Sequence, residues 1–221
     1  MHKECFSKKG WQVFNSLKSI LKKYNATLAG GTALALHLGH RISVDLDFIT
    51  DTDFRLESVI SDIRKTGRSF RITSEGEGYL IIEIDGIKVS LFKYDYPFLE
   101  KPLLINGVRI AQVFDIASMK VIALSQRGTK RDFIDLYLIL RDIPFYKIAG
   151  HMVKRFGRER INPIHIGKSF VYFSDADSNP EPEFIKRREI HWDEVKKFFR
   201  QHVRQFVLDL DTAVGNNNSL H

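Results

Sequence analysis

Apolar residues at three- and four-residue steps, Trp11, Phe14, Leu17 and Leu21, predict one amphipathic helix near the start of the chain. A short apolar run at 26–29 then meets the pair Gly30-Gly31, and an alanine-rich apolar segment continues to Gly39. That order reads as strand, tight turn, helix. Val44 and Leu46 alternate with Asp45 and Asp47, so in a strand of period two both carboxylates leave one face. Leu56, Val59, Ile60 and Ile63 return to helical spacing. Three apolar runs, 70–74, 79–84 and 87–92, predict strands, and Asp85-Gly86 between the last two is a strong hairpin signal. Residues 103–110 predict a further short hairpin.

Beyond residue 112 the pattern turns helical. Asp115 is placed to cap a helix running through Lys120 to about Gln126, with Gly128 past its end, and a second helix is expected over 131–141. Residues 144–160 and 163–173 predict two more. The first is strongly basic, through Lys147, Lys154, Arg155, Arg158 and Arg160. Residues 174–183, rich in Ser, Asp, Asn and Pro, read as a loop. Trp192, Val195, Phe199, Val203, Phe206 and Leu210 mark a long amphipathic helix, and 215–221 reads as a disordered tail. The expected fold class is α+β. It comprises a mixed β-sheet flanked by helices over 1–112, a mostly helical part over 113–214, and the tail at 215–221.

With 221 residues, 43% of them hydrophobic, the chain can build one sizeable domain plus an appendage, or two small domains. No apolar stretch approaches the roughly twenty residues of a membrane span, and the first residues lack an apolar signal core. No membrane partner and a cytoplasmic location are therefore expected. The single cysteine, Cys5, excludes an internal disulfide framework and a cysteine-based zinc cluster, and reads as an ordinary thiol near a frayed terminus. Thirty-four basic against 27 acidic residues give a net charge of +7, which favours a polyanionic partner such as a nucleotide or RNA.

The chemistry-bearing stretch is Gly30-Gly31-Thr32 followed by Ser43-Val44-Asp45-Leu46-Asp47-Phe48. Two glycines let backbone approach a ligand without Cβ interference, and the start of the next helix offers free N–H groups and a dipole that suit a phosphate. Two carboxylates on one strand face repel unless a cation sits between them. Mg²⁺ (or Mn²⁺), which takes oxygen ligands and keeps waters and substrate phosphates, is the natural occupant.

Taken together, Gly-Gly and Asp-x-Asp, with residues 32–44 between them, resemble the nucleotidyltransferase signature shared by DNA polymerase beta and its relatives. Gly-Gly-Thr-Ala-Leu, followed by His40-Arg41-Ile42-Ser43-Val44-Asp45-Leu46-Asp47-Phe48, is similar to the AbiEii/AbiGii toxin family of nucleotidyltransferases. A second block, Lys120 to Leu136 with Arg131-Asp132-x-x-Asp135-Leu136, resembles that family's helical motif. The resemblance implies transfer of a nucleoside monophosphate from an NTP to an acceptor, with RNA, in particular tRNA, as that acceptor. It also implies the toxin half of a toxin–antitoxin or phage-defence pair, and hence a cognate antitoxin. Gly30, Gly31 and Thr32 would cradle the triphosphate, Asp45 and Asp47 would hold the metal, and Lys120 would neutralise a phosphate oxygen. Asp132 would orient Lys120 or assist the hydroxyl, Arg41 would meet phosphate, and Ser43 would contact the nucleotide or hold the loop.

The superfamily pattern adds a third carboxylate from a neighbouring strand, and here that position reads as Ser90. Either Glu83, diagonal to Ser90 across the hairpin, substitutes as a metal ligand, or Glu83 makes an ion pair with Lys88. The rival reading is a catalytically impaired relative that binds nucleotide or a partner protein. A glycosyltransferase using Asp-x-Asp leaves the upstream Gly-Gly-Thr unexplained. Gly167-Lys168-Ser169 imitates the end of a Walker A loop, but position 162 is asparagine and no strand precedes it. His37 and His40 read as helix-end structure, because no second histidine or cysteine stands at metal spacing.

Overall fold

The computed structural model describes residues 1–185 and 189–215. The fold is α+β, and the chain divides into two compact units, Met1–Gln112 and a second from Val113 onward.

The first unit is built on one mixed sheet. Its helices are α1 (Lys8–Ser16), α2 (Lys18–Lys23), α3 (Gly30–Leu38) and α4 (Leu56–Arg64). Its strands are β1 (Thr27–Leu28), β2 (Leu46–Thr50), β3 (Phe70–Gly76), β4 (Tyr79–Ile84), β5 (Ile87–Lys93), β6 (Leu103–Ile105) and β7 (Val108–Ile110). They run in the order β3-β4-β5-β2-β1-β7-β6. β2 is central, antiparallel to β1 and parallel to β5. The β4–β5 hairpin closes on Asp85 and Gly86, both at positive φ (51° and 78°), as a primed two-residue turn requires. One sheet face packs on the helices through Phe48, Leu80, Ile82 and Leu91, which meet Leu17, Ile20, Val59 and Ile63.

The second unit is helical: α5 (Val113–Gln126), α6 (Lys130–Asp142), α7 (Phe145–Phe156), α8 (Pro163–Ser169), α9 (Ser174–Asp177) and α10 (Trp192–Gly215). An aromatic cluster holds it. Phe133, Phe170 and Phe199 are fully buried, and Phe199 meets the other two rings at centroid separations of 5.3 and 5.6 Å.

Several expectations are corrected. The single N-terminal helix is two, divided at Leu17, where Ser16 Oγ donates to the Val13 carbonyl at 2.8 Å and competes with the helix ladder. The terminus is not frayed. Cys5 is buried with Sγ on the Ala35 carbonyl, and its own carbonyl accepts from Ser43 N at 2.8 Å. Asp115 does not cap α5 but lies inside its first turn, fully buried. The basic helix stops at Gly157 (φ 79°), and Arg155 is buried rather than part of the basic surface. Residues 174–177 form a helical turn within the expected loop. Gly215 closes α10, and the rest of the expected tail, 216–221, lies outside the described residues.

Candidate active site

Antiparallel pairing of Thr27 with Ile49 and Leu28 with Phe48 carries the end of β1 to the start of β2, where Ala29 N donates to the Asp47 carbonyl at 2.9 Å. Gly30 follows at φ 64°, and a Cβ built there would stand 3.4 Å from Asp47 Oδ2. The Gly30 backbone therefore rests on that carboxylate, in a conformation that side chains resist. Gly31 is tighter still. A Cβ there would meet Arg41 Nη2 at 2.3 Å, so the buried guanidinium passes behind the first turn of α3 through space that a larger residue would claim.

Arg41 Nη1 donates to the Ile42 carbonyl at 3.3 Å. The Thr32 hydroxyl donates to the Asp45 carbonyl, and as it has one proton it accepts from Ser43 Oγ at 2.7 Å. Thr32 and Ser43 are both buried. Their hydroxyls brace the loop that presents Asp45. Asp45 itself sits just before β2, half-buried, not within the strand; Asp47 is the second residue of β2 and also half-buried.

In the parallel β2–β5 register Asp47 stands beside Ser90. Ser90 is 1% exposed, and its Oγ meets no hydrogen-bond partner among the described residues. Glu83 belongs to β4, which β5 separates from β2. It pairs in register with Lys88, but its carboxylate meets Arg71 on β3 at 3.1 Å. Its ion-pair partner is therefore Arg71, not the lysine foreseen in the sequence. Burial pushes the His37 imidazole below its usual range, and Nε2 lies 2.8 Å from the Ala111 carbonyl, a structural anchor.

In the helical unit, Lys120 Nζ lies 2.8 Å from Asp132 Oδ1 and 2.6 Å from Asp135 Oδ2. Lys120 and Asp135 are buried. Thr129, which caps α6, donates to Asp132 Oδ2 at 2.6 Å, so that carboxylate is held from both sides.

The family model described as nucleotidyl transferase AbiEii toxin, type IV toxin–antitoxin system, matches residues 14–216. The chain belongs to that family. A relative 40% identical over 185 residues, covering 81% of this chain and 87% of its own length, is an uncharacterized protein of Aquifex aeolicus. Among solved structures, a putative nucleotidyltransferase from Helicobacter pylori is similar at TM-score 0.58 and 16% identity, covering 93% of this chain and 98% of that one. The nucleotidyltransferase toxin MenT4 of Mycobacterium tuberculosis gives TM-score 0.57 and 15% identity, covering 93% and 91%. At such identities these likenesses speak for the fold.

Within this AbiEii-family chain, the structure brings Gly30, Gly31, Thr32, Arg41, Ser43, Asp45 and Asp47 together in the sheet unit, and Lys120, Asp132 and Asp135 together in the helical unit. Sequence reasoning missed the weight of Asp135. An acid inside the run Phe133-Ile134-Asp135-Leu136, on the buried face of α6, was the available signal. It also missed a buried group in which Ser118 Oγ lies 2.8 Å from His151 Nδ1, and His151 Nε2 and Arg155 Nη1 each lie 3.5 Å from Asp115 Oδ1. It has the order of a catalytic triad, but Ser118 is fully buried in α5, where no substrate reaches it; the group ties α5 to α7.

Proposed function

We propose that the chain transfers a nucleoside monophosphate from an NTP, with Mg²⁺ or Mn²⁺, to an RNA acceptor of the tRNA type, as the cytoplasmic toxin partnered by a cognate antitoxin. The observation that carries this reading is the seat of Asp47 against Gly30, with Asp45 held one residue before β2 by Thr32. Two carboxylates and a glycine-lined helix start suit a hard cation that keeps waters and phosphate oxygens as its remaining ligands. Asp45 and Asp47 would hold it. When bound, the ion neutralises phosphate charge and promotes ionisation of the attacking hydroxyl.

The protein's own part is positioning. Gly30 and Gly31 leave the α3 N-terminus open to phosphate oxygens. Arg41, locked behind Gly31, adds fixed positive charge, while Thr32 and Ser43 keep Asp45 from drifting. Lys120 is the cation for phosphate charge and Asp132 its orienting carboxylate. Glu83, engaged by Arg71, is left out of the metal set. The exposed Lys147, Lys154, Arg158 and Arg160 supply a salt-sensitive attraction for RNA.

Purified protein incubated with labelled NTPs, Mg²⁺ and total RNA is expected to label RNA, and chelation to stop it. Label appearing on protein instead would remove the RNA acceptor; no label anywhere would remove the enzyme reading. The second reading, a nucleotide binder with impaired chemistry, is favoured by Ser90, a neutral side chain beside Asp47. Ser90→Asp tests whether that position belongs to the metal's ligand shell. It is expected to tighten Mn²⁺ binding by about tenfold, one added carboxylate ligand, while lowering the melting temperature of the metal-free protein through like-charge crowding with Asp47. Unchanged metal affinity would place Ser90 outside the ligand shell.

A further inference from the structure

The two carboxylates of the site are held by different means. Asp47 lies in the β2 ladder, in register with Ser90, and its carbonyl accepts from Ala29 N at 2.9 Å. Asp45 lies outside that ladder. Its carbonyl is caught by Thr32, whose hydroxyl is itself fixed by Ser43 Oγ at 2.7 Å. The place of Asp45 therefore depends on Ser43, two residues upstream in the connection between α3 and β2.

The backbone of Ser43 is fixed from far away in sequence. Ser43 N donates to the Cys5 carbonyl at 2.8 Å, and Phe6 pairs with Ser43 in an isolated parallel bridge. The same segment grips the far end of α3, where His2 N donates to the Leu36 carbonyl at 2.9 Å and Cys5 Sγ to the Ala35 carbonyl at 3.1 Å. It is pinned in turn to α1. The buried Phe6 ring lies over Gly10, where a Cβ would stand 2.4 Å from Phe6 Cζ, and it meets the Trp11 ring edge-on at 5.6 Å. Trp11 Nε1 donates to the Lys3 carbonyl at 3.0 Å. Residues 2–6 thus clasp together α3, which begins at Gly30-Gly31, and the connection that carries Asp45.

We propose that this clasp is a positioning element of the metal site, with Phe6 as its anchor: it sets the affinity for the divalent cation by fixing Asp45, and leaves Asp47 to the sheet. The inference rests on the metal reading above. Mg²⁺ demands near-ideal octahedral geometry, with oxygens at about 2.0–2.1 Å. A carboxylate on a connecting segment meets that demand only if the segment is held, because such segments open locally at far lower free energy than core strands. Groups that orient a ligand from behind it are typically worth about 10–100-fold in metal affinity. The clasp reaches Ser43 through main-chain atoms and is anchored by an apolar ring, so no sequence motif announces it.

The test is Mn²⁺ affinity, followed by the paramagnetic resonance of free Mn²⁺ well below the melting temperature, in wild type, Phe6→Ala, Phe6→Leu, Asp45→Asn and the Phe6→Ala/Asp45→Asn double variant. Phe6→Ala is expected to weaken Mn²⁺ binding about tenfold. Phe6→Leu, which keeps an apolar anchor, should stay within about threefold of wild type. In the Asp45→Asn background, Phe6→Ala should weaken binding no further, since the two act through one ligand. If Phe6→Ala melts earlier but binds Mn²⁺ as wild type does, the clasp is packing alone and the proposal is overturned, while the metal reading stands. An equal loss with and without Asp45 overturns it too, because the effect then bypasses that carboxylate. If wild type binds no Mn²⁺, both readings fall together. Should Phe6→Ala fail to fold, Trp11→Phe keeps the ring packing and gives up only the bond to Lys3. It is expected to weaken Mn²⁺ binding about threefold, the scale of one hydrogen bond, and an unchanged affinity there counts against the clasp in the same way.

Discussion

Asp45→Asn and Asp47→Asn are each expected to lower nucleotide transfer by at least about 10²–10³-fold, the scale on which loss of one preorganised electrostatic contact acts on a transition state. The fold should survive. Both side chains are half-buried at the start of the central strand, and asparagine keeps their size while removing one of two like charges. The melting temperature of the metal-free protein is therefore expected to hold or rise slightly, since reactive sites carry strain that a stable fold does not need. The double substitution should cost little more than either single one, because groups that act as a unit do not add. Single-turnover transfer beside a thermal melt decides it. Activity that survives Asp47→Asn would move the metal site elsewhere, and activity lost together with the fold would make the carboxylates structural.

This site was largely legible because its determinants are local. Gly30, Gly31 and Thr32 are consecutive, and the strand that follows α3 starts one residue after Asp45, so spacing alone brought the two glycines and the two carboxylates together. The Asp85-Gly86 hairpin was legible for the same reason: two residues that tolerate positive φ fix both turn and register.

What spacing could not give was decided by contacts between distant segments. Asp45 reads as a strand residue by alternation, yet Thr32 captures its carbonyl and holds it outside the ladder. Glu83 was assigned Lys88 by counting back from the turn. Its actual partner, Arg71, comes into register only because β3 carries a bulge between Ile72 and Ser74, and counting from the Glu77-Gly78 turn would place Ile72 there instead. Arg155 looked like one more charge in a basic run, until helix α7 turned it inward onto Asp115. In each case the local pattern was correct and a tertiary contact overrode it.

Lys120→Met is the substitution expected to damage the fold most. Lys120 and Asp135 are 7% and 0% exposed, and removing the ammonium takes away the cation 2.6 Å from the buried Asp135 carboxylate between α5 and α6. Breaking such a pair costs about 3–5 kcal/mol, which in a chain of this size corresponds to a fall of about 6–20 °C in melting temperature. Asp132→Asn should cost much less, because Asp132 is more exposed and also bound by Thr129. Adding Asp135→Leu to Lys120→Met should restore most of the lost stability, since an apolar pair replaces the broken buried ion pair, while transfer stays lost if Lys120 serves the phosphates. That split separates the two roles of one lysine. Stability recovered without activity makes Lys120 both a structural ion and a working cation, whereas recovery of both would leave it structural alone. A Lys120→Met protein that melts like wild type would show that Asp135 takes up its proton rather than relying on the lysine for its charge.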